Sequence, residues 1–349
     1  MGAGPYYRKV LMIGPFNKAQ RGNSITAARL HRGLAERGYD IEWLSMDEEQ
    51  WQYRLGLGLA ESKYGLLHGL HAWHLAQVLQ AFPPAVQLPI ILTTTGTDIH
   101  LDLYNGRRAM VIGAMEAAAK IIVFHEDLQQ LVTREHPRAA DKLVTIPQAV
   151  SIPAVSPSHR QDWGFAPEEV VFLLPSGLRP VKNISLAIDA LTRLQPLYPC
   201  LRLVIVGANL DPDYGLPLLE RIRTLPWVSY LDEIPHEQMG TLLALGDVVL
   251  NTSHSEGQPQ AVLEAMSLGL PCIMMAVPGN LNIIANGKEG FYVKDEQELC
   301  RAAQQLLEDQ GLRGEMGIQA QTLVSSRYRL EQEIDAYDEL YRHLLFAQP

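Results

Sequence analysis

Two glutamates, two cations and the turns that carry them are the residues of this chain best suited to chemistry. In Thr252–Met266 (TSHSEGQPQAVLEAM) seven residues separate Glu256 from Glu264, and Gly257 stands beside the first. The stretch follows the apolar run Asp247–Leu250 and opens an amphipathic helical pattern, so the two carboxylates straddle a strand-to-helix turn. In an open α/β sheet such a turn lies at the C-terminal edge, where ligands bind. The helix start, placed near Gly257, offers unpaired N–H groups and a positive dipole end, which suit a diphosphate. A carboxylate at the turn and another inside the helix can hold a nucleotide sugar. Upstream, PSGLRPVKN (Pro175–Asn183) also leaves an apolar run, with Arg179 and Lys182 three apart. Two fixed cations there would neutralise a leaving diphosphate, Arg by a bidentate fork and Lys as a point charge.

These turns need strands behind them. Short apolar runs alternate with helical patterns throughout, which is the signature of βαβ units and parallel sheets. The first half predicts strands at Val10–Ile13, Ile41–Leu44, Gly65–Leu67, Pro89–Leu92, Ile121–Phe124 and Leu143–Ile146. Its clearest helix is Ser24–Glu36, capped by Asn23 or Ser24 and followed by Gly38. The proline-bearing stretch Pro147–Pro167 reads as an interdomain linker. A second series follows at Val170–Leu174, Leu203–Val206, Val228–Leu231, Val248–Leu250, Pro271–Met275 and Gly290–Val293. The last segment, Tyr328–Leu345, is an amphipathic helix with Leu330, Ile334, Tyr337, Leu340, Tyr341 and Leu344 on one face. The fold expected is therefore α/β: two doubly wound, Rossmann-like domains facing each other across a cleft. They span 1–155 and 156–326, and a terminal helix at 327–349 packs back on the first domain.

Composition narrows the class. The chain has 349 residues, enough for two domains that each bury a core. Hydrophobic residues make up 47% and charged residues 19%, as in ordinary globular proteins. A formal net charge of −10 gives no electrostatic reason to expect nucleic acid or anionic lipid as a partner. No apolar run reaches the roughly 18 residues of a membrane span, and no signal-peptide pattern opens the sequence. Cys200, Cys272 and Cys300 lack metal-ligand or redox spacing and read as reduced thiols. A cytoplasmic location is the expectation.

Segment by segment the chain resembles the retaining glycosyltransferases of family 4, whose GT-B fold pairs two Rossmann-like domains, over nearly its whole length. Gly177, Arg179 and Lys182 match that family's strand-loop cations, Glu256 and Glu264 its E-x7-E element, and Gly287–Gly290 with Phe291 its late glycine-bearing loop. The resemblance implies that Glu256 contacts the donor sugar, Glu264 binds the ribose hydroxyls, and Arg179 and Lys182 grip the diphosphate. It further implies transfer with retention, in which the acceptor attacks from the leaving-group side, guided by the donor's phosphate oxygen. Neither metal nor cofactor is expected, the nucleoside-diphosphate sugar being a co-substrate, UDP-linked by family habit. Closure of the domains would exclude water.

Two departures bear on donor choice. Gly257 is followed by Gln258, Pro259 and Gln260 where the family often has an aromatic and a glycine, and Pro259 suits a first helical turn. The family's Gly-Gly-x-x-Glu is here Pro278, Gly279, Asn280, Leu281, Asn282, a neutral amide in place of a charge. With Gly22-Asn23 and Gly96-Thr97-Asp98, these segments are closer to a small subgroup, the glycosyltransferase 1 domain-containing proteins. More distantly they resemble the selenosugar synthases, so a selenium or sulfur nucleophile stands as an alternative acceptor to a small soluble hydroxyl compound or glycan.

The first half supplies acceptor-side candidates. Thr93–His100 (TTTGTDIH) leaves a strand, so Thr97 lines the loop and Asp98 or His100 can orient acceptor or donor sugar; alternatively Asp98 caps the next helix. The loop Gly14–Ser24, including Gly22 and Asn23, can close over a diphosphate and an acceptor, or be a plain connection. His68, His71 and His74 have spacing reminiscent of metal ligands but no carboxylate or thiol nearby. His71, just past a strand end, is instead placed on the acceptor side, and His125 and Glu126 follow another strand. A nicotinamide oxidoreductase is excluded because no G-x-G-x-x-G follows a strand. A phosphorylase would need a pyridoxal-phosphate lysine that cannot be placed, and a nucleotide-sugar-binding relic without turnover is the non-enzyme alternative.

Overall fold

The computed structural model describes residues 9–16 and 22–346, with only the backbone of Gly22 and Asn23. The chain divides into two units, Met1–Ala149 with Leu330–Pro349, and Val150–Arg329.

The first unit runs β1 (Lys9–Gly14), α1 (Gly22–Glu36), β2 (Ile41–Ser45), α2 (Trp51–Ala60), β3 (Tyr64–Leu70), α3 (Ala72–Ala81), β4 (Ile90–Thr93), α4 (Thr97–His100), α5 (Arg108–Ala117), β5 (Lys120–Val123), α6 (Glu126–Glu135) and β6 (Leu143–Thr145). Its strands form one parallel sheet ordered β2-β1-β3-β4-β5-β6. β1 and β3 are apolar almost end to end because helices cover both faces of a parallel sheet. The chain winds outward from β1 to β2, then returns to build β3 to β6 on the other side. The loops after β1 and β3 therefore diverge at the switch point where such sheets bind ligands.

The second unit continues with β7 (Val170–Pro175), α7 (Ile184–Leu194), β8 (Leu201–Val206), α8 (Pro212–Arg223), β9 (Val228–Tyr230), α9 (His236–Ala244), β10 (Val248–Asn251), α10 (Gln260–Ser267), β11 (Cys272–Met275), β12 (Gly290–Val293), α11 (Glu296–Glu308) and α12 (Gln310–Arg327). Its parallel sheet has the order β12-β11-β10-β7-β8-β9, so the switch point lies between β7 and β10. Buried Phe172, Leu203, Ile205, Leu250 and Ile273 pack beneath α7 and α11 on one face, and Leu173, Val204, Val249 and Met274 pack on the other.

The final helix, α13 (Leu330–Phe346), belongs to the first unit. Ile334, Tyr337 and Tyr341 are buried with Val10, Met12, Leu30 and Ile122, whereas Leu330 is exposed. Polar groups fix the seating. Arg29 donates to both oxygens of Glu333, at 2.7 and 2.9 Å, with both side chains almost fully buried. Tyr39 donates its hydroxyl to Asp338 at 2.7 Å.

Several boundaries differ from the sequence reading, and four of them bear on the domains and the site. The units part at 149/150 rather than near 155, and the stretch to Pro167 belongs to the second unit. Phe165 is buried in its core, Arg160 pairs with Asp247 at 2.8 Å, and Val150 N–H donates to the Tyr328 carbonyl. α13 begins at Leu330, because Tyr328 closes α12. α1 begins at Gly22, so neither Asn23 nor Ser24 is its cap. β3 runs on to Leu70 and takes in His68. Among the described residues no helix is long and apolar enough to cross a membrane.

Candidate functional site

In the second unit the loops after β7 and β10 are knitted together at the switch point. Thr252 Oγ1 donates to the Lys182 carbonyl at 2.9 Å, and His254 N–H donates to the Val181 carbonyl at 2.8 Å. A short 3₁₀ turn, Pro180–Lys182, follows Arg179 and delivers Lys182 to the other loop. Its ammonium lies 2.6 Å from Glu256 Oε1, and only 17% and 12% of the two side chains remain exposed. The same oxygen accepts from Ser253 Oγ at 2.6 Å and Asn251 Nδ2 at 3.1 Å. Burial pushes the Glu256 carboxyl upward; the Lys182 ammonium and the bonds from Ser253 and Asn251 outweigh it and hold the group below its usual range. Arg179 is in extended backbone beside this pair in sequence, and its Nε is buried without a hydrogen-bond partner.

Glu264 sits inside α10, 7% exposed. That helix starts at Gln260 behind Pro259, so Gly257 lies three positions before its first residue instead of opening it. The reason is proline: its ring excludes the preceding residue from helical backbone. Gln258 and Gln260 are bonded to each other, Nε2 to Oε1, at 3.1 Å.

The loop after β11 lies directly on the Glu256 turn. Glu256 N–H donates to the Pro278 carbonyl at 3.1 Å. Gly279 has φ +85°, and a Cβ there would stand 1.9 Å from the Glu256 carbonyl oxygen, so the approach demands glycine. Asn280 is wholly buried and donates to Asn251 Oδ1 and to the Met275 carbonyl, at 3.2 and 2.9 Å. Gly177 serves packing: a Cβ would meet the Leu210 side chain at 2.7 Å, where the loops after β7 and β8 exchange backbone hydrogen bonds.

In the first unit, the strand ends of β3 and β4 hold the other candidates. Asp98 is fully buried and accepts backbone N–H bonds from Thr95, Gly96 and Ala72, at 3.0, 2.9 and 2.9 Å. It closes its own turn and holds the start of α3. His71 precedes α3 at φ +74° and bonds Thr97 Oγ1 through Nε2 at 2.9 Å, with Asp102 4.0 Å from the same nitrogen. A histidine at positive φ is strained backbone of the kind that gathers at functional sites. Arg107, bound to Asp102 at 3.3 Å, stacks over Trp73 at 4.5 Å.

The three histidines do not act together. His68 is a core residue, its ring nitrogens 2.7 Å from Tyr341 Oη and 2.8 Å from Thr93 Oγ1, and burial pushes its pKa down to about 3. The His71 and His74 rings lie 4.8 Å apart, and burial brings His74 down to about 4. His125 caps α6 by accepting from Asp127 N–H. Residues 17–21 of the loop after β1 fall outside the described residues, as do the side-chain surroundings of Gly22 and Asn23.

Sequence reasoning missed Asn251 and Ser253 beside Glu256, and Asp102 and Arg107 beside His71. Asn251 had a signal: a lone amide closing an apolar strand at the sheet's ligand-binding edge. Asp102 takes local bonds from Asn105 and Arg107, but its approach to His71 joins the loops after β3 and β4 and had no signal in the sequence.

Residues 155–323 match the family described as glycosyl transferases group 1. The chain is 25% identical, over 94% of its length, to glycosyltransferase 1 domain-containing protein 1 of Xenopus tropicalis, of which the match spans 96%. Among solved structures, HepE of Anabaena in complex with UDP-glucose is similar with a TM-score of 0.79 at 20% identity, over 95% of this chain and 98% of that one. Sucrose-phosphate synthase from Thermosynechococcus elongatus reaches a TM-score of 0.82 at 18% identity, over 98% and 100% of the two chains. Residues 155–323 thus resemble a group 1 glycosyltransferase domain, and the chain has the GT-B fold of two Rossmann-like parallel-sheet units.

Proposed function

We propose that the protein transfers a sugar from a nucleoside-diphosphate sugar, UDP-linked by preference, to a small soluble acceptor with retention of anomeric configuration. The observation that carries this reading is the Lys182–Glu256 pair at the β7/β10 switch point, with the unpartnered Arg179 Nε close by in sequence. Arg179 and Lys182 take the diphosphate, whose negative charge grows as the glycosidic bond breaks, and stabilise it without proton transfer. No metal ion is assigned a role. Lys182 has three donors, so engaging Glu256 with one leaves it able to meet a phosphate oxygen. Glu256, kept ionised, accepts from donor-sugar hydroxyls, and Glu264 accepts from the ribose. The acceptor attacks on the leaving-group side, its proton passing to a donor phosphate oxygen. His71 and Thr97 belong to the acceptor side, on a loop held by Asp98.

A thermal-shift panel of UDP, GDP, ADP and their sugar conjugates, on wild type and Arg179→Ala, tests this. At a hundred times its dissociation constant a native-state ligand stabilises by about 2.7 kcal/mol. In a unit of this size that raises Tm by about 5–10 °C. A shift selective for one nucleotide and lost in Arg179→Ala is expected; no shift with any nucleotide would refute the donor assignment.

A further inference from the structure

We propose that Asn251 and Asn280 form a one-directional amide relay that aims the Glu256 carboxylate, making Asn251 a positioning residue for the donor sugar. The inference rests on the reading of Glu256 as the donor-sugar contact. Of the donors described on Glu256 Oε1, the Lys182 ammonium rides on a long flexible stem and the Ser253 hydroxyl can turn about its C–O bond. Among these three, the Asn251 amide is the one whose orientation is fixed by other hydrogen bonds. Its Oδ1 accepts from Ser253 N–H at 3.0 Å and from Asn280 Nδ2 at 3.2 Å. Flipping that amide would set an NH₂ against two donors, so Nδ2 must face Glu256.

Asn280 is fixed in the same way. Its Nδ2 faces two acceptors, Asn251 Oδ1 and the Met275 carbonyl, which leaves its own Oδ1 buried and without a partner. A buried carbonyl left unsatisfied is a cost that native structures rarely carry without a reason. Here it orients the chain Asn280 to Asn251 to Glu256. Tyr292 anchors the far end: its hydroxyl donates to the Asn280 carbonyl at 2.7 Å and accepts from Ile283 and Ile284 N–H. The relay thus ties the loop after β11 to the carboxylate on the loop after β10, alongside the Glu256–Pro278 backbone bond.

Calorimetric titration of UDP and UDP-glucose into wild type, Asn251→Ala, Glu256→Gln and the double variant measures the affinity for UDP-glucose relative to UDP. The relay predicts that Asn251→Ala lowers this ratio about tenfold, the effect of one hydrogen bond to a charged group, with UDP binding unchanged. It predicts no further loss when Asn251→Ala is added to Glu256→Gln, because both act through one group. Asn280→Ala, one link further away, supplies the same readout if Asn251→Ala does not fold. Equal weakening of both ligands, an unchanged ratio, or losses that add in the double variant would overturn the relay. If Glu256→Gln itself leaves the ratio unchanged, or wild type binds neither ligand, the donor reading falls first and takes the relay with it. A loss in Glu256→Gln alone removes the relay and spares that reading.

Discussion

Replacing Lys182 by methionine keeps the stem and removes the charge that Glu256 faces. The pair is 2.6 Å apart with about a sixth and an eighth of the side chains exposed. At an effective dielectric of about 20 the gross attraction is about 6 kcal/mol, against a desolvation cost of several kcal/mol for each ion. The pair therefore contributes little net. Stranding one partner is another matter, because it leaves an uncompensated buried charge and costs about 3–5 kcal/mol. Residual exposure and the retained bonds from Ser253 and Asn251 place this site near the lower end. For a unit of this size about 3 kcal/mol lowers Tm by about 6–12 °C. The pH dependence carries a sign. In wild type the Glu256 pKa is depressed, so its contribution is present above the unfolded value of about 4.3 and is lost as pH falls through the folded value. Losing the ammonium removes the largest of the lowering influences and leaves burial, which raises the folded pKa, opposed by Ser253 and Asn251. The deficit of Lys182→Met should then be largest near pH 7.5 and shrink toward pH 5. Adding Glu256→Gln should recover most of the loss. Scanning calorimetry of the three proteins at both pH values is the assay. A deficit that is small, independent of pH and not rescued by Glu256→Gln would show that the pair behaves as a solvated surface contact, and the electrostatic account of the site would be wrong.

Two further outcomes can be checked. Gly279→Ala combines a positive φ with a Cβ 1.9 Å from the Glu256 carbonyl oxygen, so the turn must shift. Nucleotide-sugar binding should be lost in titrations even where the circular dichroism spectrum is retained. Glu333→Ala strands the buried Arg29 guanidinium and should cost about 3–5 kcal/mol in denaturant unfolding of the first unit, whereas Arg37, paired with half-exposed Asp335, should cost under about 1 kcal/mol on truncation.

The strands were legible because a parallel sheet covered on both faces leaves an apolar run in the sequence, as in Val170–Leu174 or Val248–Leu250. β3 was cut short at Leu67 because His68 reads as polar. It is admitted to the strand by two hydroxyls, on Thr93 and on Tyr341, the latter 273 residues away. Periodicity reports which face of α13 is apolar, but not that Arg29 and Glu333 would meet across 304 residues. The loops show the same limit. Arg179, Lys182, Glu256 and Glu264 stand out by type and spacing at predicted strand ends, while the 74-residue reach that pairs Lys182 with Glu256 does not. Asp98 is the instructive case. Its bonds to Thr95 and Gly96 are local turn chemistry that Asp two or three residues on invites, and its bond to Ala72 exists only once β3 and β4 are neighbours.

The two switch points are built on different electrostatic plans. In the second unit, a carboxylate is held ionised by a cation and two neutral donors, which makes a fixed acceptor beside positive charge. That suits charge that appears on a leaving group while hydroxyls are held still. In the first unit, buried Asp98 accepts backbone N–H groups from its own turn and from the start of α3, and burial keeps His68 neutral near neutral pH. What remains there is His71, strained and bonded through one nitrogen to Thr97, with Asp102 near it and Arg107 over Trp73. In the transfer proposed above, hydrogen-bonding side chains on that loop would position an uncharged acceptor without supplying a strong base. The proposed retaining step, in which the donor's own phosphate oxygen takes the acceptor proton, requires no more from that unit.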